Sequence, residues 1–289
     1  MRATVETLKA RAKIVSSIRA FFDSLGFTEV ETDVRIASPA PEANIDCPPV
    51  ATGGFLRASP ELQMKKLLAL GFETIYQIGP CFRDGEKGAR HNPEFTMIEW
   101  YRKNATYLDI LDDFEQLWTR LTGDCPQFGR VQNGDCPQFK RIAVREAYRD
   151  WAFWDPWLDW NQDRFDYDMA VKIEPALKAI GGGVFLMDYP PQAASLAKLR
   201  GDVAERWEFY YDGIELANAF TELCDEAEQR RRFASEREKR KSLGESDYPV
   251  DEEFLASLPQ IGSAAGVALG VDRLVMVLLS LSSISSVRN

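Results

Sequence analysis

Apolar and polar residues along this chain recur with two spacings, one typical of helices and one typical of strands. A stripe of apolar side chains three and four residues apart predicts an amphipathic helix over residues 5–25, which Gly26 ends. Alternation typical of a strand follows over residues 27–34. Further along, the spacing predicts a short helix at residues 62–70 and an amphipathic helix at residues 106–121.

The strongest strand signal is a predicted hairpin, in which residues 75–82 and 94–101 flank a polar loop with two glycines. Side chains of a strand alternate between its faces, so Glu99 and Tyr101 are expected to point the same way. Arg83 stands where the first strand meets the loop. Its guanidinium suits a phosphate or a carboxylate, because it donates two parallel hydrogen bonds; a solvated loop charge is the alternative.

A second hairpin is predicted where residues 207–211 end in an Asp-Gly turn and a new strand begins at Ile214. Glu215 and Glu222 are seven residues apart, so an unbroken strand places them on opposite faces. The chain would have to bend at residues 217–219 for both acids to serve one site. An edge hairpin with surface acids is the alternative.

The C-terminal part of the chain combines a charged helix with an apolar strand and helix. Residues 225–243 carry charges of alternating sign, which indicates a solvent-exposed helix face. Within residues 266–279, a strand containing glycine leads into a helix, and Arg273 falls in its first turn. The helix dipole and the guanidinium together attract anions there. An ordinary buried strand–helix pair is the alternative, but it does not explain the Asp-Arg pair within so apolar a run.

Residues 122–184 are the least regular part of the chain, and we interpret them as a variable, insertion-like segment. Within them, residues 123–133 are echoed by residues 134–144 as a tandem repeat. Two copies are too few for a repeat-protein fold. The repeat is therefore interpreted as a local duplication in a connection rich in turns.

The charge of the chain narrows its possible functions more than its amino-acid composition does. The 289 residues are 45% hydrophobic, enough for a substantial core, and carry a net charge of −10. Such an acidic surface repels a phosphate backbone, so tRNA binding is not expected. A membrane span is not expected either, because Asp272 and Arg273 interrupt the longest apolar candidate, and the start of the chain does not resemble a signal peptide. Five cysteines and one histidine without zinc-ligand spacing indicate reduced thiols and a cytoplasmic protein.

Three stretches of the chain resemble the motifs of class II aminoacyl-tRNA synthetases. The Phe-Arg pair at residues 82–83, the run at residues 91–97 and Glu99 resemble motif 2 in the version found in lysyl-tRNA synthetases. Residues 26–32 resemble the dimer-forming motif 1, and residues 266–279 resemble motif 3. The resemblance implies an α+β fold, with the class II catalytic core as an antiparallel sheet flanked by helices, and a homodimer.

The resemblance also implies an ATP site. Arg83 is implied to bind the α-phosphate and the substrate carboxylate, and Arg273 to bind the γ-phosphate, as the catalytic residues. Mg²⁺, which accepts oxygen ligands, is implied on Glu215 and Glu222. The implied ATP-binding residues are Arg83, Asp84, Gly85, Glu86, Asn92, Glu215, Leu216, Gly270 and Arg273.

A lysine-type substrate pocket is implied in the same way. Glu61 is implied to meet the α-ammonium, although Ser59, Pro60 and Glu61 also suit a helix N-terminus on their own. Glu99 and Tyr101 are implied to read the side-chain or β-ammonium group, and His91 is interpreted as a residue that orients its loop. The implied substrate-binding residues are Ser59, Pro60, Glu61, Glu99, Tyr101, Asn218, Glu222 and Ala268.

Among relatives of the lysyl-tRNA synthetases, the chain resembles the elongation factor P–(R)-β-lysine ligase family. A single catalytic domain over residues 1–289 without an anticodon-binding domain is expected, and Ala268 stands where lysyl-tRNA synthetases have glycine. The resemblance implies that ATP activates (R)-β-lysine or lysine as an aminoacyl-adenylate, which is then transferred to a lysine of elongation factor P. Two alternatives stay open, namely a lysine-type synthetase core that charges tRNA and a non-catalytic regulatory paralogue.

Three residues depart from the family pattern. Asp33 replaces a proline after motif 1, which bears on the dimer contact. Gly85 replaces the motif 2 glutamate that would touch ATP, and Glu86 stands one residue later. Ala219 replaces a glycine, so its methyl group is expected to narrow the pocket.

Overall fold

The computed structural model describes residues 3–123 and 139–288, which contain a mixed sheet of nine strands and a separate two-stranded ribbon. The strands are β1 (Thr28–Glu29), β2 (Arg35–Ile36), β3 (Phe55–Leu56), β4 (Thr74–Phe82), β5 (Glu94–Lys103), β6 (Lys140–Ala143), β7 (Gly183–Tyr189), β8 (Leu199–Arg200), β9 (Val203–Tyr211), β10 (Ile214–Thr221) and β11 (Ala264–Gly270). The helices are α1 (Val5–Ser24), α2 (Glu61–Ala69), α3 (Tyr107–Gly123), α4 (Val144–Ala147), α5 (Gln162–Asp168), α6 (Glu174–Ile180), α7 (Glu226–Leu243), α8 (Glu252–Ile261) and α9 (Val271–Leu278).

The large sheet has the strand order β1-β4-β5-β11-β10-β9-β7-β6, with β8 paired to β9, while β2 and β3 form the ribbon. Neighbouring strands from β4 to β7 are antiparallel, whereas the edge pairs β1–β4 and β6–β7 are parallel. Each parallel pair is joined by a long connection, as parallel pairing requires. The predicted α+β fold is confirmed, with a sheet that is mixed rather than antiparallel throughout.

Alternation along the strands divides the apolar side chains between two cores. One core contains Phe22, Trp100 and Trp207 and is covered by α1, α3 and α9. The other contains Tyr101 and Phe254 and extends under α2, α4 and α8. Because Trp100 and Tyr101 are adjacent on β5, the two cores lie on opposite faces of the sheet. The second face is open over β5, β11 and β10, and the candidate site lies there.

Most predicted elements are present with small shifts in their ends. The predicted helices at residues 5–25, 62–70, 106–121 and 225–243 are α1, α2, α3 and α7, and the two predicted hairpins are β4–β5 and β9–β10. Of the tandem repeat, residues 124–138 lie outside the described part of the chain. Within the described part, no helix combines the length and apolar character needed to cross a bilayer.

The strand predicted at residues 27–34 is wrong beyond the two residues of β1. The buried Arg57 guanidinium donates to the Thr32 carbonyl and hydroxyl oxygens, each at 2.9 Å. The same guanidinium donates to the Asp33 carbonyl at 3.3 Å. The Thr32 hydroxyl in turn donates to the Gln77 side chain at 2.9 Å. Backbone bonds join Val30 to Tyr76 and Arg57 to Val34, and between them side-chain hydrogen bonds hold this segment where a continuous backbone ladder was predicted.

Candidate active site

A cavity of about 110 Å³ lies on the open face of the sheet, against β5, β10 and β11 and beneath the loop of residues 37–47. The start of α2 forms one of its walls. The fold thus brings together side chains that are far apart in the sequence. The predicted site residues that line this cavity are Ser59, Glu61, Arg83, Glu99, Tyr101, Asn218 and Ala268.

Glu99 projects from β5 into the cavity wall and is 1% exposed. One of its oxygens accepts a hydrogen bond from Ser59 Oγ at 2.6 Å, and the other accepts from the Tyr101 hydroxyl at 2.7 Å. The prediction that Glu99 and Tyr101 share one face is confirmed. Burial, reinforced by the Glu61 carboxylate, raises the pKa of Glu99 to about 7. Its negative charge is therefore available to a bound cation only near or above neutral pH.

Ser59 links the acid on β5 to the first turn of α2. Its hydroxyl accepts a hydrogen bond from the Glu61 backbone N–H at 2.9 Å while it donates to Glu99. The helix begins at Glu61, with Pro60 as the N-cap, so it starts one residue before the helix predicted at residues 62–70. Pro60 therefore positions its neighbours and is not among the cavity-lining residues.

Lys65 is a site residue that the sequence analysis missed. It is 1% exposed, donates to Glu61 at 2.6 Å and forms an ion pair with Glu222. Burial alone would lower the pKa of Lys65, but the Glu222 and Glu61 carboxylates outweigh it and raise that pKa. The available signal was the spacing of Glu61 and Lys65, which puts an acid and a base on one face of a helix.

The buried charges around this end of the cavity do not balance. Glu61, Glu99 and Glu222 face a single ammonium, that of Lys65, which leaves two net negative charges when all the groups are ionised. Burial raises the pKa of Glu222 to about 8 even though Lys65 opposes the shift. Uncompensated buried carboxylates are costly, so this end of the cavity favours a cationic ligand.

Arg273 lies at the start of α9, at the other end of β10. Its guanidinium donates to the Glu215 carbonyl at 3.0 Å and to the Arg90 carbonyl at 3.2 Å, and it contacts the His91 ring. Burial and the Arg273 charge lower the pKa of His91, so the imidazole is neutral and can accept from the guanidinium. His91 thus holds its loop against Arg273, consistent with the orienting role interpreted for it.

Arg83 follows β4 and lies on the cavity wall. Its Nη1 is 3.5 Å from Glu86, the residue one position after the glycine in motif 2. The guanidinium also lies 5.3 Å from the centre of the Phe95 ring, and its buried Nε has no partner among the described residues. Arg273 Nη1 lies 3.7 Å from the Glu215 carboxylate, and Arg83 also interacts electrostatically with that carboxylate, so both cations act on this part of the site. An anion there would meet both cations.

A bulge in β10 decides which way Glu215 points. The pairing of β10 with β9 shifts register between Glu215 and Ala217, and from there Asn218 and its neighbours pair regularly with β11. The extra residue puts Glu215 and Glu222 on the same face of the sheet. The irregularity thus lies at residues 215–217, at the start of the segment where a bend would be needed for both acids to serve one site.

Glu215 and Glu222 nevertheless lie at opposite ends of β10. Seven residues of strand span roughly 20 Å, and the two carboxylates have different neighbours, Arg273 for one and Lys65 for the other. The structure therefore does not bring them together around one ion. In residues 3–123 and 139–288, no group of three or more acidic, histidine or cysteine side chains has a metal-binding arrangement. Glu215 by itself is still a suitable ligand, because Mg²⁺ commonly combines one or two carboxylates with substrate phosphates.

Two alanines at the site face opposite ways. Ala268 lines the cavity and pairs in register with Glu99 on one side and Asn218 on the other. Ala219 is fully buried in the core behind the sheet, together with Leu216. The expectation that the Ala219 methyl narrows the pocket is wrong, because alternation turns it away from the cavity. Leu216 can reach a ligand only through its backbone.

The remaining predicted nucleotide residues lie on loops and element ends. Gly270 is the N-cap of α9. The Asp84 carboxylate accepts from the Gly85 backbone N–H at 3.0 Å, and Gly85 has a φ of 75°, which favours glycine. Asn92 lies in the loop between β4 and β5. These residues are close in sequence to Arg83 or Arg273.

Arg206 is a second residue that the sequence analysis missed. From β9 it donates to the Asn218 side-chain oxygen at 3.0 Å and to Glu208 at 2.5 Å. The bond from Arg206 to the Asn218 side-chain oxygen orients the amide so that its NH₂ group is free for a ligand. The alternation of Arg206, Glu208 and Tyr210 on one strand face was the signal for a polar stripe.

Comparison with known proteins gives a consistent result over nearly the full chain. A family model described as tRNA synthetases class II (D, K and N) matches residues 2–289. A protein of Proteus mirabilis (strain HI4320) named elongation factor P–(R)-beta-lysine ligase is 36% identical over 313 residues, covering 99% of this chain and 94% of that protein. Proteins with the same name from Histophilus somni (strain 2336), 36% identical over 315 residues, and Avibacterium paragallinarum, 33% identical over 323 residues, cover 99% of this chain and 94% and 95% of their own lengths.

Proposed function

This chain belongs to the class II tRNA synthetases of the D, K and N type, and from that premise we propose that it is an ATP-dependent ligase that attaches (R)-β-lysine to elongation factor P. Relatives that carry this name match it over nearly their whole length. The observation that carries the proposal is the charge of the cavity. Three carboxylates and one internal ammonium leave two negative charges when all the groups are ionised, and lysine and β-lysine each bring two ammonium groups that favour that ionised state.

The substrate lies with its ammonium groups toward the acids and its carboxylate toward Arg83. Glu61 meets the ammonium nearer the carboxylate, and Glu99 with Glu222 meets the distant one. The Ala268 methyl occupies space beside Glu99 and Asn218, which shifts the preference away from α-lysine. In β-lysine, the amino group nearer the carboxylate is one carbon further along the chain than in α-lysine. The two ammonium groups of β-lysine can then still meet the same carboxylates.

The nucleotide lies with its phosphates between the two arginines. Arg83 neutralises the α-phosphate and the substrate carboxylate, and Arg273 neutralises the γ-phosphate. Mg²⁺, when bound, would be held by Glu215 and the phosphates and would supply further charge neutralisation. The substrate carboxylate attacks the α-phosphorus, and the acyl-adenylate and pyrophosphate form without a covalent enzyme intermediate. Positioning and charge neutralisation are the main contributions of the protein.

The proposal extends to the organisation of the enzyme. Residues 1–289 act as a single catalytic domain, and two copies form a homodimer through the segment that resembles motif 1. The enzyme works in the cytoplasm on a protein acceptor and not on tRNA, consistent with its net charge of −10.

Exchange of labelled pyrophosphate into ATP by the purified protein tests this function. Exchange should require (R)-β-lysine or lysine. Glu99→Gln should raise the amino-acid concentration needed for exchange, while Glu238→Gln, at an exposed acid on α7, should not. If no lysine isomer supports exchange, the proposal is wrong. Label appearing on tRNA rather than on elongation factor P would select the tRNA-charging alternative instead.

A further inference from the structure

One carboxylate on the cavity wall has no role in the proposed binding of substrate or ATP. Glu42 lies in the loop of residues 37–47 and lines the cavity. Among the described residues, its side chain forms no hydrogen bond or ion pair, and its oxygens are accessible to the cavity. Such an acid is free to bind or deprotonate a group that enters from outside.

The loop that carries Glu42 is held by buried side chains from α7 and from the segment that follows α7. The fully buried Arg240 donates to the Glu42 carbonyl at 2.8 Å, to the Ile45 carbonyl at 3.0 Å and to the Asp46 carboxylate at 2.6 Å. The Cys47 backbone N–H donates to the Tyr248 hydroxyl at 2.8 Å. These bonds hold the backbone of the loop, so the point on the cavity wall from which the Glu42 side chain extends is fixed by the fold.

The charges that face Glu42 place it between the reacting centre and the outside. They come from Glu61 on α2, Arg83 after β4, Arg206 on β9 and Glu236 on α7. Arg83 is the residue assigned to the α-phosphate and the substrate carboxylate. Glu236 is partly exposed on α7 and accepts from the Ala43 backbone N–H at 3.3 Å. Glu42 is therefore within electrostatic reach both of the residue assigned to the α-phosphate and of the partly exposed acid on α7.

Transfer of the amino acid to the acceptor lysine requires a base, whereas formation of the adenylate does not. A lysine ammonium, with an ordinary pKa of about 10.4, is protonated at neutral pH and has no lone pair with which to attack. Burial, followed by the Glu61 carboxylate, raises the pKa of Glu42 to about 7. A general base works best when its pKa lies near the working pH.

Resting on the proposed function, we infer that Glu42 receives the acceptor lysine of elongation factor P and removes a proton from its ammonium. An N–H bond breaks, and the proton passes to a Glu42 oxygen. The nitrogen lone pair forms a bond to the carbonyl carbon of the adenylate, and the bond from that carbon to the AMP oxygen breaks with its electron pair. The nitrogen loses a second proton to water, which leaves an amide and AMP.

A single-turnover experiment separates this role from the formation of the adenylate. The enzyme is first mixed with ATP and (R)-β-lysine, and elongation factor P is then added while transfer is followed. In Glu42→Gln, the ratio of the transfer rate to the adenylation rate should fall about 100-fold, at the lower end of general-base contributions. The matched variant Glu238→Gln should keep the wild-type ratio. The wild-type transfer rate should rise with pH and level off above about 7, whereas the lower Glu42→Gln rate should keep rising toward the ordinary pKa of the acceptor lysine.

Hydroxylamine distinguishes proton removal from a structural effect, because this nucleophile is already neutral at pH 7. With hydroxylamine in place of elongation factor P, Glu42→Gln should break down its adenylate at nearly the wild-type rate. An equal loss with both acceptors, or an unchanged ratio with elongation factor P, would overturn the inference. Absence of pyrophosphate exchange in the wild type would instead refute the proposed function, so the two failures differ.

Discussion

Replacing Lys65 by methionine tests whether one buried cation holds the acidic cavity together. The Lys65 ammonium lies 5.1 Å from the centre of the Phe220 ring and pairs with Glu61 and Glu222. Methionine keeps most of the apolar stem and removes the charge. The three carboxylates that remain, with Glu99 as the third, then have no internal counter-charge.

The size of the effect follows from burial. Removing one partner of a buried ion pair costs about 3–5 kcal/mol, because an uncompensated charge stays behind. Lys65 is 1% exposed and Glu222 is 2% exposed, so water screens neither group and the full range applies. For a chain of this size, about 2–4 °C of melting temperature is lost per kcal/mol, which gives a decrease of roughly 6–20 °C.

The pH dependence has a definite sign. Glu99 and Glu222 have folded-state pKa values of about 7 and about 8, above the ordinary value of 4.5. The folded state therefore keeps protons that the unfolded chain releases between pH 4.5 and 8, and stability falls as pH rises through that window. Without Lys65 these pKa values rise further, so the destabilisation by Lys65→Met grows with pH.

Thermal and urea unfolding, followed by circular dichroism at pH 5.5 and 8.5, measure both effects. Lys66→Met is the matched control, since Lys66 is next in the same helix and pairs with Asp251 and Glu253 nearer the surface. It should cost about 1 kcal/mol or less. The double variant Lys65→Met/Glu222→Gln should recover part of the loss. A single variant as stable as the control, or a double variant no more stable than Lys65→Met alone, would refute the reasoning.

Three further predictions concern activity. Ala268→Gly should shift the ratio of kcat/KM for (R)-β-lysine over α-lysine toward α-lysine by about 10-fold or more, the range expected for one methyl group, as measured by pyrophosphate exchange. The KM for the amino acid should rise as pH falls below about 7, because Glu99 takes up a proton, and Glu99→Gln should flatten that profile. Arg273→Ala should lower the exchange rate about 100- to 1,000-fold, whereas Arg237→Ala on the surface of α7 should leave it near the wild-type value.

The main elements could be predicted from the sequence because their signals are local. The apolar stripe of α1 and the alternation in β4 and β5 each lie within one element, and the motif residues of β5 follow from alternation. Even the direction of Ala219 was available, since it alternates with Asn218 and Phe220. The prediction that the Ala219 methyl group narrows the pocket did not take that alternation into account.

The rest depends on contacts between elements that the sequence does not reveal. The bulge between Glu215 and Ala217 is a property of the pairing of β10 with β9, so no local pattern in β10 indicates it. The burial of Lys65 depends on α2 packing beside the end of β10, where Glu222 lies. Short β1 likewise reflects Arg57, which reaches Thr32 from 25 residues away.

The most direct test of the central claim is the intact mass of elongation factor P after incubation with this protein, ATP and (R)-β-lysine. The account predicts one added β-lysyl group on a single lysine, and loss of that addition in an Arg83→Ala variant that still folds. An acceptor whose mass stays unchanged, while ATP and the amino acid are shown to be bound, would contradict the assignment of this chain as a protein ligase.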